Sequence, residues 1–252
     1  MTQKNPLIKP SLLFIFTILI SNNALADVRK SKFRTNDRTT QYASLGGNYS
    51  SDHNSKEYKI SGGYQYRKNH LMLELDLLQH SRYSSTTTTP LTKNRELYDF
   101  EASGKVLVGQ SDNYLNYYNR SKHDKFSDYY YDITNVGGWG RMFFDGMIEA
   151  DINIGYNEIK NFDSHIVVNP NIKFSFWITD KLRFTSKAFI FKIKDEYSEE
   201  LKNRLSYRLN KKISLDIYHN YEKKRFLKTS SGVSNNKNEV ERDFIFRVRY
   251  SF

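Results

Sequence analysis

The sequence predicts an all-β protein: a closed antiparallel transmembrane β-barrel of the outer-membrane type, with about twelve strands. Three observations carry this expectation. The last residues, Glu239 to Phe252, alternate apolar and polar side chains and end the chain on an aromatic. Segments with the same period-two pattern recur through residues 40–252, most of them near the roughly 9–11 residues that a tilted spanning strand needs. The connections between them alternate between short and long, as turns on one side of a membrane and loops on the other do.

In the closing segment, Phe244, Phe246, Val248, Tyr250 and Phe252 occupy every second position, with Asp243, Arg247, Arg249 and Ser251 between them. A period of two puts the first set on one face of a strand and the second on the other. One face suits lipid and the other a polar lumen. Tyr250 and Phe252 are therefore read as the C-terminal signal that the barrel-assembly machinery recognises.

At the other end, Lys4 and Lys9 precede the apolar run Leu12–Ile20, and small residues follow at Ala24 and Ala26. A basic segment, a short apolar core and an A-x-A site make a signal peptide over residues 1–26. The apolar run is less than half of the roughly 20 residues that would span a bilayer as a helix. Cleavage after Ala26 would leave Asp27 first, and residues 27–39 read as a polar periplasmic lead-in to a barrel at 40–252.

Composition agrees with export to the outer membrane of a Gram-negative bacterium. There is no Cys, which removes disulfides and Cys-based metal sites. Mean hydropathy is −0.71, yet there are 19 Tyr and 17 Phe against 4 Pro. Abundant aromatics with overall hydrophilicity suit strands that are apolar on one side only. The formal charge of +11 falls to +9 without Lys4 and Lys9. With an export signal, the expected partners of that charge are lipopolysaccharide phosphates and small anionic solutes, not nucleic acid.

The alternating segments run approximately Thr40–Ser51, Lys56–Arg67, His70–His80, Arg95–Val106, Tyr114–Lys122, Asp128–Gly140, Met147–Asn157, His165–Thr179, Leu182–Lys194, Tyr197–Leu209, Ile213–Lys223 and Glu239–Phe252. Connections after even-numbered segments are short, such as Lys68-Asn69 and Asp180-Lys181. Those after odd-numbered segments are mostly longer, such as Gln79–Asn94 and Lys224–Asn238. Short turns are periplasmic and long loops external, so both termini are periplasmic. Ten or fourteen strands would preserve the same parity.

The lipid-facing set includes Leu73, Leu75, Leu77, Ile152, Ile154, Ile172, Phe174, Phe176, Leu215 and Ile217. Tyr64, Tyr66, Tyr129, Tyr131 and Tyr156 fall near strand ends, where aromatic girdles belong. Gly46-Gly47, Gly62-Gly63 and Gly137-Gly138 fall inside strands, where they ease curvature or close approach.

The opposite face is the candidate site. It carries an acidic arc of Glu74, Asp76, Asp99, Glu101, Asp132, Glu149 and Asp151, and a basic arc of Lys173, Arg183, Lys187, Lys202, Arg204 and Arg208. Opposed charges around a watery lumen would select small hydrophilic, anionic solutes in a narrow passive channel. The alternative is a closed structural or envelope-stress barrel whose lumen charges pair and plug it, acting through its external loops. About eight strands fill with side chains and 16–18 leave a channel, so about twelve lies between the two.

Catalysis is not expected. The six His are the available bases, and neither G-x-S-x-G nor H-E-x-x-H occurs. His219 shares a segment with Ser214 and Asp216, but alternation sends it to the other face. No catalytic residue, metal site or cofactor is assigned.

Two stretches carry a family resemblance. One is Tyr129-Tyr130-Tyr131-Asp132 through Gly137-Gly138-Trp139-Gly140 and on from Glu149 to Gly155-Tyr156. The other runs over Asn203–Leu209, Asn210-Lys211-Lys212 and Ile213–Tyr221, with the terminal Val248-Arg249-Tyr250-Ser251-Phe252. The chain resembles the family of domain of unknown function 481, often labelled salt-induced outer-membrane protein. The resemblance implies an outer-membrane barrel and brings no activity or site residues with it. Oligosaccharide-specific porins of about twelve strands are similar in architecture only.

Overall fold

The computed structural model describes residues 39–52, 54–85, 90–109, 111–126, 131–159, 164–193, 196–226 and 238–252. The signal segment with Ala24 and Ala26, nearly all of the lead-in, and Tyr129 lie outside the described residues. Twelve strands follow in order: β1 (Thr40–Asp52), β2 (Ser55–Lys68), β3 (Leu71–Ser84), β4 (Thr92–Leu107), β5 (Asn113–Asp124), β6 (Tyr131–Phe143), β7 (Ile148–Ile159), β8 (His165–Trp177), β9 (Leu182–Ile193), β10 (Glu196–Arg208), β11 (Ile213–Phe226) and β12 (Asn238–Ser251). Each pairs with its neighbours in sequence, and β1 pairs antiparallel with β12 to close the barrel.

The strands form because alternation gives each two usable faces. Leu73, Leu75, Leu77, Ile152, Ile154, Phe244, Phe246 and Val248 are exposed on the outer wall, and Tyr64 and Tyr156 accompany them. Their neighbours Glu149, Asn153, Asp216, Ile245 and Arg247 are buried inside. Several strands exceed the expected segments at the loop end: β3 runs on to Ser84 and β4 begins at Thr92, with a register shift between Arg82 and Tyr83. Backbone pairing continues there beyond the length needed to cross the apolar layer.

The short turns are set by local chemistry. Asn69, Gly109, Phe144, Asp145 and Gly146 adopt left-handed φ in the turns after β2, β4 and β6. After β8, Thr179 Oγ1 accepts from the backbone N–H of Lys181 and Leu182 at 3.3 and 3.0 Å, which ends the strand at Trp177 rather than at Thr179. After β10, Asn210 Oδ1 accepts from Lys212 and Ile213 in the same way, at 2.8 and 2.9 Å. Side chains that mimic the backbone acceptor in this manner favour tight reversal.

Two places in the sheet are irregular. The β8–β9 ladder skips Asn169 and Pro170, where proline has no N–H to give, and Asn169 Nδ2 donates instead to the Ile190 carbonyl at 2.9 Å. The closing seam is shorter than its neighbours. β1 pairs with β12 only over Tyr42–Gly47, whereas it pairs with β2 from Thr40 to Asp52. Beyond Gly47, Asn48 Nδ2 donates to the Phe244 carbonyl at 3.1 Å, and the Lys59 ammonium reaches from β2 to Asp243 of β12.

The interior is not uniformly polar. Tyr118, Val136, Val167 and Phe191 form a buried apolar cluster with Phe189 packed against it, and Leu107, Tyr114 and Met142 form a second. Filling by side chains is what a barrel of this modest strand number permits.

Candidate functional site: the barrel lumen

The inward faces make a charged lumen around a cavity of about 170 Å³. At the end bearing the longer loops, Lys59 pairs with Glu57 at 2.7 Å and with Asp243. Glu57 also meets His80 Nε2 at 2.9 Å and Arg82 at 3.1 Å. Arg95 of β4 reaches Glu241 of β12 at 2.6 Å.

The next level is organised on Arg120 of β5, which is only 9% exposed. Its guanidinium donates to Asp99 at 2.7 Å from Nη2 and to Glu200 of β10 from Nη1. Glu101 and Glu222 lie 3.4 and 3.6 Å from it. Lys122 bonds Glu222 at 2.7 Å, and Lys202 bonds Glu101. Arg120–Glu200 and Lys202–Glu101 join strands on opposite sides of the barrel.

Below this, Lys187 of β9 meets Glu74 of β3 at 3.0 Å, and Arg247 of β12 meets Asp76 at 2.5 Å and Ser61 Oγ at 2.9 Å. Glu149 accepts from Lys105 and Lys173, both at 2.7 Å. Asp151 accepts from the Tyr114 hydroxyl at 2.8 Å and from Asn153 and Asn171 at 2.8 and 2.7 Å. Asn153 and Asn169 are 0% exposed, whereas Asp151 and Asn171 border the cavity, so this amide network runs from the buried wall to the lumen. Asp132 accepts from Asn157 Nδ2 at 2.5 Å.

The end bearing the short turns differs. Arg183 donates from Nε and Nη2 to Ser175 Oγ at 2.9 and 2.7 Å, and its Cζ lies 5.8 Å from the Trp177 ring. Arg208 approaches the same ring at 5.2 Å and donates to the Asp180 carbonyl at 2.5 Å. Arg249 covers the Tyr42 ring at 5.4 Å and has Asp216 at 3.3 Å. Arg204 donates to the Tyr218 hydroxyl at 3.2 Å.

All six residues of the basic arc and all seven of the acidic arc lie on the inward faces of their strands. The two arcs are not segregated. β4 and β5 add Lys105, Arg120 and Lys122 to the acidic side, and β10 and β11 add Glu200, Asp216 and Glu222 to the basic side. Their inward parity was available in the sequence. Strands β5 and β11 carry so many polar groups on both faces that period two does not single these residues out. His219 stacks on Phe244 on the outer wall, with ring centroids 4.7 Å apart, away from Ser214 and Asp216. Among the described residues, no group of three or more His, Asp or Glu is placed to hold a metal ion.

The solved structures that the chain matches include outer-membrane proteins. The COG4313 outer membrane channel from Pseudomonas putida F1 matches at 10% identity and TM-score 0.44, covering 88% of this chain and 97% of that one. The NanC porin matches at 12% identity and TM-score 0.46, covering 84% and 98%. A bacterial polysaccharide outer membrane secretin matches at 8% identity and TM-score 0.41, covering 86% and 99%. No curated protein sequence matches the chain. The family described as "Protein of unknown function, DUF481" matches residues 26–252, so this twelve-stranded barrel belongs to that family.

Proposed function

We propose that the chain is a non-enzymatic outer-membrane barrel of a Gram-negative bacterium and a narrow passive channel for small hydrophilic solutes, with a preference for anions. The observation that carries this reading is the charged cavity of about 170 Å³ bordered by Lys173, Lys187, Lys202 and Arg204. Lining charges set the sign of ion that a confined passage accepts. Residues 1–26 direct export and are cleaved off after Ala26, the short turns face the periplasm, and basic loop residues contact lipopolysaccharide phosphates.

A second reading has its own support: Arg120–Glu200, Lys202–Glu101 and Lys187–Glu74 cross the lumen, as the struts of a closed structural barrel would. Single-channel recording in planar bilayers separates the two. The channel should give a small conductance with anion selectivity that fades in high salt, where screening shortens to about 3 Å at 1 M. Arg204→Glu with Arg208→Glu should move selectivity toward cations. Insertion without conductance would establish the structural barrel instead. Cation selectivity in the native protein would transfer control to the acidic arc.

The reading also assigns Tyr250 and Phe252 to recognition by the assembly machinery. Phe252 is 72% exposed and, among the described residues, its one ring contact is edge-on with Tyr250 at 5.1 Å, so its side chain contributes little buried area to the finished barrel. Deleting Phe252 should therefore leave in vitro refolding intact and lower thermal stability by no more than about 1.5 kcal/mol, the scale of the lost bond from its N–H to the Gln41 carbonyl at 3.1 Å. In cells the same deletion should sharply reduce outer-membrane yield. Normal yield would refute the assignment.

A further inference from the structure

Most of the lumen cations described above are bonded to carboxylates within 3.0 Å; at the turn end, Arg183 and Arg208 are held in other ways. Lys59, Arg95, Lys105, Arg120, Lys122, Lys173, Lys187, Lys202 and Arg247 all have a carboxylate within 3.0 Å. At the turn end, Arg183 is held by a serine hydroxyl and Arg208 by a main-chain carbonyl, and both approach one ring, Trp177. Arg249 leans on Tyr42, with the single buried carboxylate of Asp216 at 3.3 Å. Arg67 donates to the Met72 sulfur at 3.6 Å.

Register explains the convergence. On the inward face, Arg249 of β12 pairs with Ser214 of β11, and Ser214 pairs with Arg208 of β10. One row on, Arg247 pairs with Asp216, Asp216 with Ser206, and Ser206 with Arg183 of β9. Consecutive strands thus deliver three arginines to one rim, and Arg67 comes from β2 across the closing seam.

A guanidinium stacked on an aromatic face keeps its plane and leaves its N–H edge directed elsewhere. Such a fork matches two oxygens of a phosphate or carboxylate in two parallel bonds. Arg183, Arg208 and Arg249, taken with the Asp216 carboxylate, carry a net positive charge that a dianion neutralises better than chloride does. We propose that the turn-end mouth of the barrel is a binding site for phosphate-bearing anions, held by Arg183, Arg208 and Arg249. This deepens the channel reading by naming the class of anion and the end from which it is met. The binding test itself does not depend on conduction.

The barrel, purified from membranes in detergent, is titrated calorimetrically with pyrophosphate and with inorganic phosphate at constant ionic strength in chloride. Saturable binding is expected for both, tighter for pyrophosphate. Arg183→Gln with Arg208→Gln should weaken it about tenfold or more, the scale of lost charge-assisted hydrogen bonds. Arg183→Lys with Arg208→Lys should fall between, since charge remains but the fork is lost. Arg242→Gln, beside Tyr221, serves as the control and should bind as the native barrel does. If the double glutamine variant does not fold, as judged by heat-modifiable migration, Arg249→Gln alone carries the comparison.

A parallel titration with short-chain phosphatidylglycerol separates a lipid headgroup from a soluble phosphate; binding of either kind supports the site. Absence of binding by all three probes overturns it, as does native affinity in the glutamine variants. A barrel that binds pyrophosphate but never conducts would sink the channel and keep the site. An anion-selective channel with no phosphate binding would do the reverse.

Discussion

Arg120→Ala is expected to prevent assembly of a stable barrel. The guanidinium is buried among Asp99, Glu200, Glu101 and Glu222, at distances up to 3.6 Å, and it is the one cation that touches all four carboxylates. Removing one partner of a buried ion pair costs about 3–5 kcal/mol, because the remaining charge stays desolvated and uncompensated. Lys122 and Lys202 still reach Glu222, Glu101 and Glu200, but no remaining cation bonds Asp99. The loss should therefore lie at or above the top of that range. Heat-modifiable migration and urea unfolding of the refolded variant give the measurement. Pairing the change with Glu200→Gln should recover part of it, because contacting residues couple by about 0.5–3 kcal/mol. A folded Arg120→Ala barrel of native stability would mean that water enters the lumen freely enough to solvate the carboxylates. That outcome would favour an open passage over a strutted one.

Gly46→Val should be as severe for a different reason. A Cβ at Gly46 would stand 1.8 Å from the Phe246 carbonyl oxygen and 2.5 Å from the Arg247 Cα, both backbone atoms of β12. No rotamer change relieves a clash with the main chain. Position 46 also lies within Tyr42–Gly47, the only stretch where β1 and β12 pair. The variant should fail to close and should be digested by protease under conditions that leave the native barrel intact. Gly62→Ala is the matched control on β2: its Cβ would meet only the Ser44 carbonyl at 3.6 Å, ordinary contact. That variant should fold, with stability equal to or slightly above native, since alanine loses less backbone entropy than glycine. Native-like closure in Gly46→Val would show that the seam opens or shifts register to accept a side chain.

The two changes probe what could and could not be read in advance. The even parity of the strand count, the strand faces and the end at which the short turns lie follow from local rules, while twelve was one of three counts that parity allowed. Side chains two residues apart share a face, an apolar face needs an apolar neighbour, and Thr179 or Asn210 can cap a turn without help from distant chain. For that reason the lipid-facing leucines of β3 and the aromatics of β12 stand out by inspection, and so does the even count that brings the termini together. The same rules place Glu74, Lys187, Glu101 and Lys202 on the inner wall.

The sequence does not say who meets whom across that wall. The partners Lys187–Glu74, Lys202–Glu101 and Arg120–Glu200 are 113, 101 and 80 residues apart, and they meet only after the barrel closes with one particular stagger between β1 and β12. Closure geometry is a property of the whole ring, set by summed registers rather than by any strand. It decides that Arg120 becomes the centre of the lumen and that Tyr118, Val136, Val167 and Phe191 fill part of it. It also brings Arg183, Arg208 and Arg249, which come from different strands, to one rim around Trp177 and Tyr42. Alternation along the chain determined which residues face inward; only the closed ring decided which of those charges pair across the lumen and which gather at one rim.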